Sequence, residues 1–347
     1  MKLPGLIDIH VHLRDPGQTH KEDFYTGTSA ALAGGFTTVF DMPNNAEPIT
    51  TAQRLDRKIA EATKKTVSDI GFYFGSLGEN LDQFEQIYDK VWGLKLYLNV
   101  TTGGFIVDLP AVERIYAAWK SSKPILLHSE EDMIAGVIEI IKATRQPSHF
   151  AHVSSAAELS QIIAAKESGL PVTCGVTPHH LFLTDRDAAA QGPYAFMKPY
   201  LKTQADVDFI WKNIKYVDAI ESDHAPHTRE EKDGENPPFG VPGLETTFPL
   251  LFTARKQGRL SLDEIIRLCH TGPKEILHIE TAEDTFIEVD ENTEYEIKNE
   301  ELKTKCGWTP FGGMKVFGKV ETVTLRGKQM YKDGQILSQP GEGKVLA

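Results

Sequence analysis

Short apolar, β-branched runs alternate with longer amphipathic stretches over the first 222 residues, and this rhythm constrains the fold more than any other feature of the chain. Strands are expected at Leu6–Leu13, Thr37–Met42, Ile70–Gly75, Gly93–Leu98, Pro124–Ser129, His149–Val153, Pro171–Val176 and Asp218–Ser222. Between them, Glu22–Ala33, Thr51–Thr63, Leu109–Ser121, Asp132–Thr144 and Ser155–Ser168 carry apolar residues at helical spacing. Eight strands with intervening helices are the count of a (β/α)8 TIM barrel, although alternation alone also suits a doubly wound sheet. After about Asp284 the texture changes to short strands (Thr285–Val289, Glu294–Ile297, Lys319–Gly327) and turns such as Asp333-Gly334. The expectation is a barrel over residues 1–283 and a small β-rich appendage over 284–347, built mainly from the C-terminal segment. Pro340–Gly343 reads as a linker or frayed tail.

Charge and cysteine content narrow the partners. With 37 basic and 49 acidic residues the formal charge is −12, which disfavours nucleic acid and anionic membranes. A small anionic substrate stays open, because a local field can oppose the net charge. No apolar run approaches a membrane span, and the N-terminus carries no signal-like segment. Cys174, Cys269 and Cys306 show no paired spacing, which fits a reducing, cytoplasmic setting.

Chemistry concentrates at strand ends. In Asp8-Ile9-His10-Val11-His12, two imidazoles two residues apart share one face of a strand, a ready pair of metal ligands. The alternative is two histidines satisfied by hydrogen bonds inside a sheet. In a barrel, the carboxyl ends of the strands converge on one pocket. Four further ligand-type residues fall on such strands: Lys95, His128, His152 and Asp223. His149 and His152 are three apart, so strand parity sends only one inward, and His152 lies nearer the carboxyl end. His149 is expected in the outer layer. Structural or surface roles suffice for His20, His179, His180, His270 and His278, while His224 could orient the site.

Lys95 decides the type of centre. An ammonium inside an apolar strand is costly, so it either loses its proton or pairs with a carboxylate such as Asp223. A neutral amine can also take up carbon dioxide as a carbamate, whose two oxygens can bridge two cations. Four histidines, one aspartate and one carbamate suit two zinc ions with an activated water between them.

The runs His10-Val11-His12-Leu13-Arg14-Asp15-Pro16-Gly17, Asp41-Met42-Pro43-Asn44, Gly93-Leu94-Lys95-Leu96-Tyr97 and Ser222-Asp223-His224-Ala225-Pro226-His227 resemble dihydroorotases of the amidohydrolase superfamily. The resemblance covers nearly the whole chain and is strongest to the dihydroorotase domain of the multifunctional animal-type pyrimidine-synthesis polypeptide. It implies that His10 and His12 bind one zinc with Asp223, that His128 and His152 bind a second, and that carboxylated Lys95 and a hydroxide bridge them. The implied reaction is the reversible closure of N-carbamoyl-L-aspartate to L-dihydroorotate, with Asp223 moving the proton. Arg14, Asn44 and His227 would hold the substrate carboxylate, for which a planar guanidinium is suited. A salt bridge from Arg14 to Asp15 or Glu22 is the structural alternative.

The loop 237–243, through Pro242 and Gly243, would line the polar edge of the ring. Asn99–Gly104 matches a family lid with Thr101 at its threonine, but Thr102, followed by Gly103 and Gly104, stands where an aromatic residue is expected. Some relatives hold a third zinc through positions that here are Gly175 and Ala151, so two zincs are expected. The competing functions are another cyclic amidohydrolase, such as a hydantoinase or allantoinase, and a catalytically inactive scaffold relative. A homodimer is expected, and the early first strand also fits a part of a larger multifunctional polypeptide.

Overall fold

The computed structural model describes residues 1–101 and 106–347. After a short strand β1 (Lys2–Pro4), the barrel strands follow in order: β2 (Leu6–Val11), β3 (Phe36–Asp41), β4 (Asp69–Phe72) with β5 (Phe74–Gly75), β6 (Leu94–Tyr97), β7 (Ile125–His128), β8 (Ser148–Phe150), β9 (Val172–Val176) and β10 (Ala219–Ile220). They form parallel sheets in the orders β2-β3-β4 and β5-β6-β7-β8-β9-β10. Only Tyr73 separates β4 from β5, so the two act as one staggered barrel strand. A parallel bridge between Val11 and His224, with the His12 N–H donating to the His224 carbonyl at 2.8 Å, closes the ring.

The strands are buried along nearly their whole length, as covering on both faces demands, and this explains their apolar rather than alternating sequence. The expected helices are present, and their starts fall where capping chemistry puts them. Asp23, Thr51 and Ser155 lie just outside their helices and accept from the backbone N–H three residues on. Side chains such as Leu32, Leu55, Ile115, Ile141 and Ile162 fill the layer between strands and helices.

The appendage is a five-stranded antiparallel sheet in the order β1-β11-β14-β15-β16, where β11 is Phe286–Asp290, β14 Lys319–Leu325, β15 Lys328–Lys332 and β16 Gln335–Ile336. The N-terminal β1 pairs with β11 and staples this sheet to the start of the barrel. A small pair, β12 (Tyr295–Glu296) and β13 (Lys315–Val316), lies apart from it. The tail corrects an expectation. Pro340–Gly343 is not frayed: the Gly341 and Gly343 N–H groups donate to Thr66, and Lys344 and Leu346 bond to Ile70 alongside β4. The exposed edge of β4 supplies backbone partners that a reading of composition could not foresee.

Candidate metal centre

Six side chains meet at the carboxyl ends of the barrel strands. His10 Nε2 and His12 Nε2 lie 3.4 and 3.1 Å from Asp223 Oδ1, and donor atoms of the three fall within 4.8 Å of one another. His128 Nδ1 and His152 Nε2 face each other at 3.0 Å. Lys95 is completely buried, and its Nζ has no hydrogen-bond partner among the described residues. The charges of Lys95 and His152 both bear on His10, which ties the two halves of the cluster together.

Hydrogen bonds on the far side of the His10, His12 and His128 rings fix which nitrogen is free. His12 donates from Nδ1 to Asn44 Oδ1 at 2.7 Å, and His10 donates from Nδ1 to Glu221 Oε2 at 3.3 Å. Their Nε2 lone pairs are thereby turned on an Asp223 oxygen that is itself an acceptor. His128 donates from Nε2 to Glu130 at 3.3 Å, leaving Nδ1 to face His152. Acceptors pointed at acceptors across about 3 Å are what a cation between them satisfies, with ligand bonds near 2.0–2.1 Å. The donor set therefore fits two metal ions.

Electrostatics agree. Burial, reinforced by the charge of Lys95, holds His10 well below the ordinary imidazole range, and burial with His128 does the same for His152. Neutral imidazole is the ligating form. Burial raises the Asp223 carboxyl, but the imidazole of His12 beside it and the positive potential of Lys95 outweigh it, so the net shift is downward. Burial pushes Lys95 down to about 8 against the pull of Glu221 and Asp223. The backbone is strained at the same place: Arg14, His152 and Asp223, all at strand exits, have φ of 63°, 41° and 44°.

Beside the cluster, a narrow cleft is lined by His12, Arg14, Asn44, Thr101, Lys198, Asp223, Ala225, Phe239 and Gly240. Arg14 forms no ion pair with Asp15 or Glu22. Asp15 is held by Lys65, and Glu22 accepts from Thr304 and the Lys305 N–H, while Arg14 donates to the Pro226 carbonyl at 3.1 Å and lies 3.0 Å from His227 Nε2. The loop 237–243 reaches the cleft through Phe239 and Gly240. Pro242 and Gly243 line a neighbouring cleft with His224, Glu245 and Thr304. Of the Asn99–Gly104 lid, Thr102, Gly103 and Gly104 lie outside the described residues.

His149 corrects the parity argument. It is fully buried and donates from Nε2 to Glu221 Oε1 at 2.5 Å, directly under the cluster. β8 ends at Phe150, and the left-handed turn at His152 breaks the alternation, so both histidines face inward. His224 accepts from the Gly243 N–H and orients the rim. His180 is spent on Thr177 and the Pro199 carbonyl. Glu221, Glu130 and Lys198 were missed by sequence reasoning. An acid inside the apolar run Ala219–Ser222 was the one visible signal for Glu221.

Residues 1–191 match the model of the Amidohydrolase family. The dihydroorotase of Pyrococcus abyssi is 35% identical over 99% of this chain and 87% of its own length. This chain belongs to the amidohydrolase family and, within it, to the dihydroorotases. The multifunctional protein CAD of Squalus acanthias is 42% identical over 99% of this chain, which spans only 15% of that protein. The barrel itself is shared with the L-hydantoinase (dihydropyrimidinase) of Arthrobacter aurescens, at a TM-score of 0.95 and 23% identity over 100% of this chain and 88% of that one.

Proposed function

We propose that this amidohydrolase is a dihydroorotase, interconverting N-carbamoyl-L-aspartate and L-dihydroorotate at a centre of two zinc ions bridged by carboxylated Lys95. The observation that carries the reading is the set His10, His12, Asp223, His128, His152 and Lys95, whose Nζ has no hydrogen-bond partner among the described residues, with Arg14 and Asn44 on the adjoining cleft. Two bound cations supply a Lewis acid for the ring carbonyl and a water acidified enough to attack at neutral pH.

The remaining chemistry belongs to the chain. Asp223, ionised at neutral pH, takes a proton on its carboxylate during ring opening and returns it to the leaving ring nitrogen; in the closing direction the same proton travels backwards. Arg14, anchored by Pro226, presents its guanidinium to the substrate carboxylate. His227 beside it is held neutral by burial and by the charges of Arg14 and Lys21, so it donates or accepts without adding charge. Asn44 spends its carbonyl on His12, which leaves its amide N–H groups for the ligand. A homodimer, working alone or within a larger polypeptide, completes the proposal.

Turnover of dihydroorotate, hydantoin and allantoin by the zinc-loaded protein tests this. Dihydroorotate should be strongly preferred, with two zincs per chain and a labile carbon dioxide adduct in the intact mass. Preference for either other substrate sinks the assignment.

A further inference from the structure

Beneath the metal ligands lies a carboxylate that the proposed reaction does not use. Glu221 is fully buried, and three donors converge on its two oxygens: His149 Nε2 at 2.5 Å on Oε1, and the His152 backbone N–H at 3.0 Å and His10 Nδ1 at 3.3 Å on Oε2. The Thr173 hydroxyl, 2.8 Å from His149 Nδ1, holds that ring in turn. Space for the carboxyl comes from the neighbouring strand. A Cβ built on Gly175 would stand 2.3 Å from Glu221 Cδ and 2.5 Å from Oε1, closer than real side chains approach. The φ of Gly175 is not in the left-handed region, so the glycine serves clearance rather than backbone freedom.

We propose that Glu221 is a positioning residue that fixes His10 as the Nδ1–H tautomer, and so sets the metal affinity of the His10–His12–Asp223 site, from a slot kept open by Gly175. The inference rests on the metal-centre reading above. Three N–H donors facing one side chain call for an acceptor at both terminal atoms, which only a carboxylate supplies. A glutamine would keep its carbonyl on the two donors at Oε2 and turn its own N–H2 on His149, removing the negative charge behind His10. His10 then faces a neutral carbonyl in place of a carboxylate, so its Nδ1–H is held less firmly and its Nε2 becomes a less basic, weaker ligand. Carboxylates behind ligating histidines commonly change metal affinity 10–100-fold when removed. The second site, built on His128 and His152, meets Glu221 only through the His152 backbone N–H, and its His128 ring is held by Glu130, so it should be affected less.

The test is zinc competition against a chelator on the wild-type chain, E221Q and G175A, with zinc content measured at each step. The expected result is two zincs per wild-type chain, and in both variants one site weakened 10–100-fold with the other retained. At saturating zinc, KM for dihydroorotate should stay within about twofold, because Arg14, Asn44 and His227 are untouched. In the zinc-loaded wild-type protein, nitrogen-15 NMR of the histidines should place a proton on His10 Nδ1. This readout needs no variant, so it decides even if E221Q fails to fold. Equal zinc affinities in E221Q and wild type, or a proton on His10 Nε2, overturn the proposal while leaving the metal centre standing. Absence of zinc from the wild-type chain overturns the metal centre and this inference together.

Discussion

Replacing Lys58 with methionine should unsettle the substrate arm without touching the metal cluster. Lys58 is fully buried, and its ammonium lies 2.7 Å from Asp41 Oδ2 while donating to the Met42 carbonyl at 2.7 Å and Asn45 Oδ1 at 2.9 Å. Asp41 in turn accepts from the Leu13 N–H at 2.7 Å, one residue beyond His12. One helical lysine thus ties the strand carrying the first ligands to the loop carrying Asn44. Breaking a buried ion pair by removing one partner costs about 3–5 kcal/mol, because the remaining charge is left without compensation. Unfolding entropy of roughly 2.1 cal/mol/K per residue over 347 residues makes 1 kcal/mol worth about 1.4 °C, so Tm should fall by roughly 4–7 °C. KM for dihydroorotate should rise with it as Asn44 loosens. The double variant K58M/D41N removes the stranded charge and should regain about half of the loss. Differential scanning fluorimetry on the zinc-loaded proteins reads both Tm changes, and steady-state turnover reads KM. A shift under 1 °C in K58M, or no recovery in the double variant, refutes the reasoning.

Three further outcomes follow from the site. Arg14→Lys keeps the charge but loses the planar fork, so KM should rise about 10–100-fold, as loss of a charged hydrogen bond implies, while zinc content stays at the wild-type level; unchanged steady-state KM removes Arg14 from carboxylate binding. Asp223→Asn preserves shape but cannot carry the proton, so turnover should drop roughly 10²–10⁴-fold with a smaller change in Tm than K58M shows. Burial sets Lys95 near 8, so its neutral fraction is about one half at pH 8, one tenth at pH 7 and one hundredth at pH 6. At a fixed concentration of dissolved carbon dioxide, reactivation of metal-stripped, decarboxylated protein by zinc should therefore slow about fivefold from pH 8 to 7 and about tenfold from pH 7 to 6, and a rate flat from pH 6 to 8 under that condition contradicts carbamate formation on that amine.

The sequence by itself settled what depends on local pattern. Strand and helix positions follow from residues a few places apart, and capping by Asp23, Thr51 and Ser155 shifts helix starts by only one or two residues. The ligand-type residues were visible because histidine, lysine and aspartate are conspicuous in apolar strands. What tertiary structure alone decided concerns direction and long-range contact. Parity placed His149 outside, but the left-handed backbone at His152 put both histidines inward, and no spacing rule carries that information. Glu221 finds His10 across 211 positions and needs Gly175 on another strand to make room. The C-terminal residues, bland in composition, are held by the edge of β4. Alternation is written along the chain, whereas the partner that each buried donor or carboxylate meets is fixed only when the barrel closes.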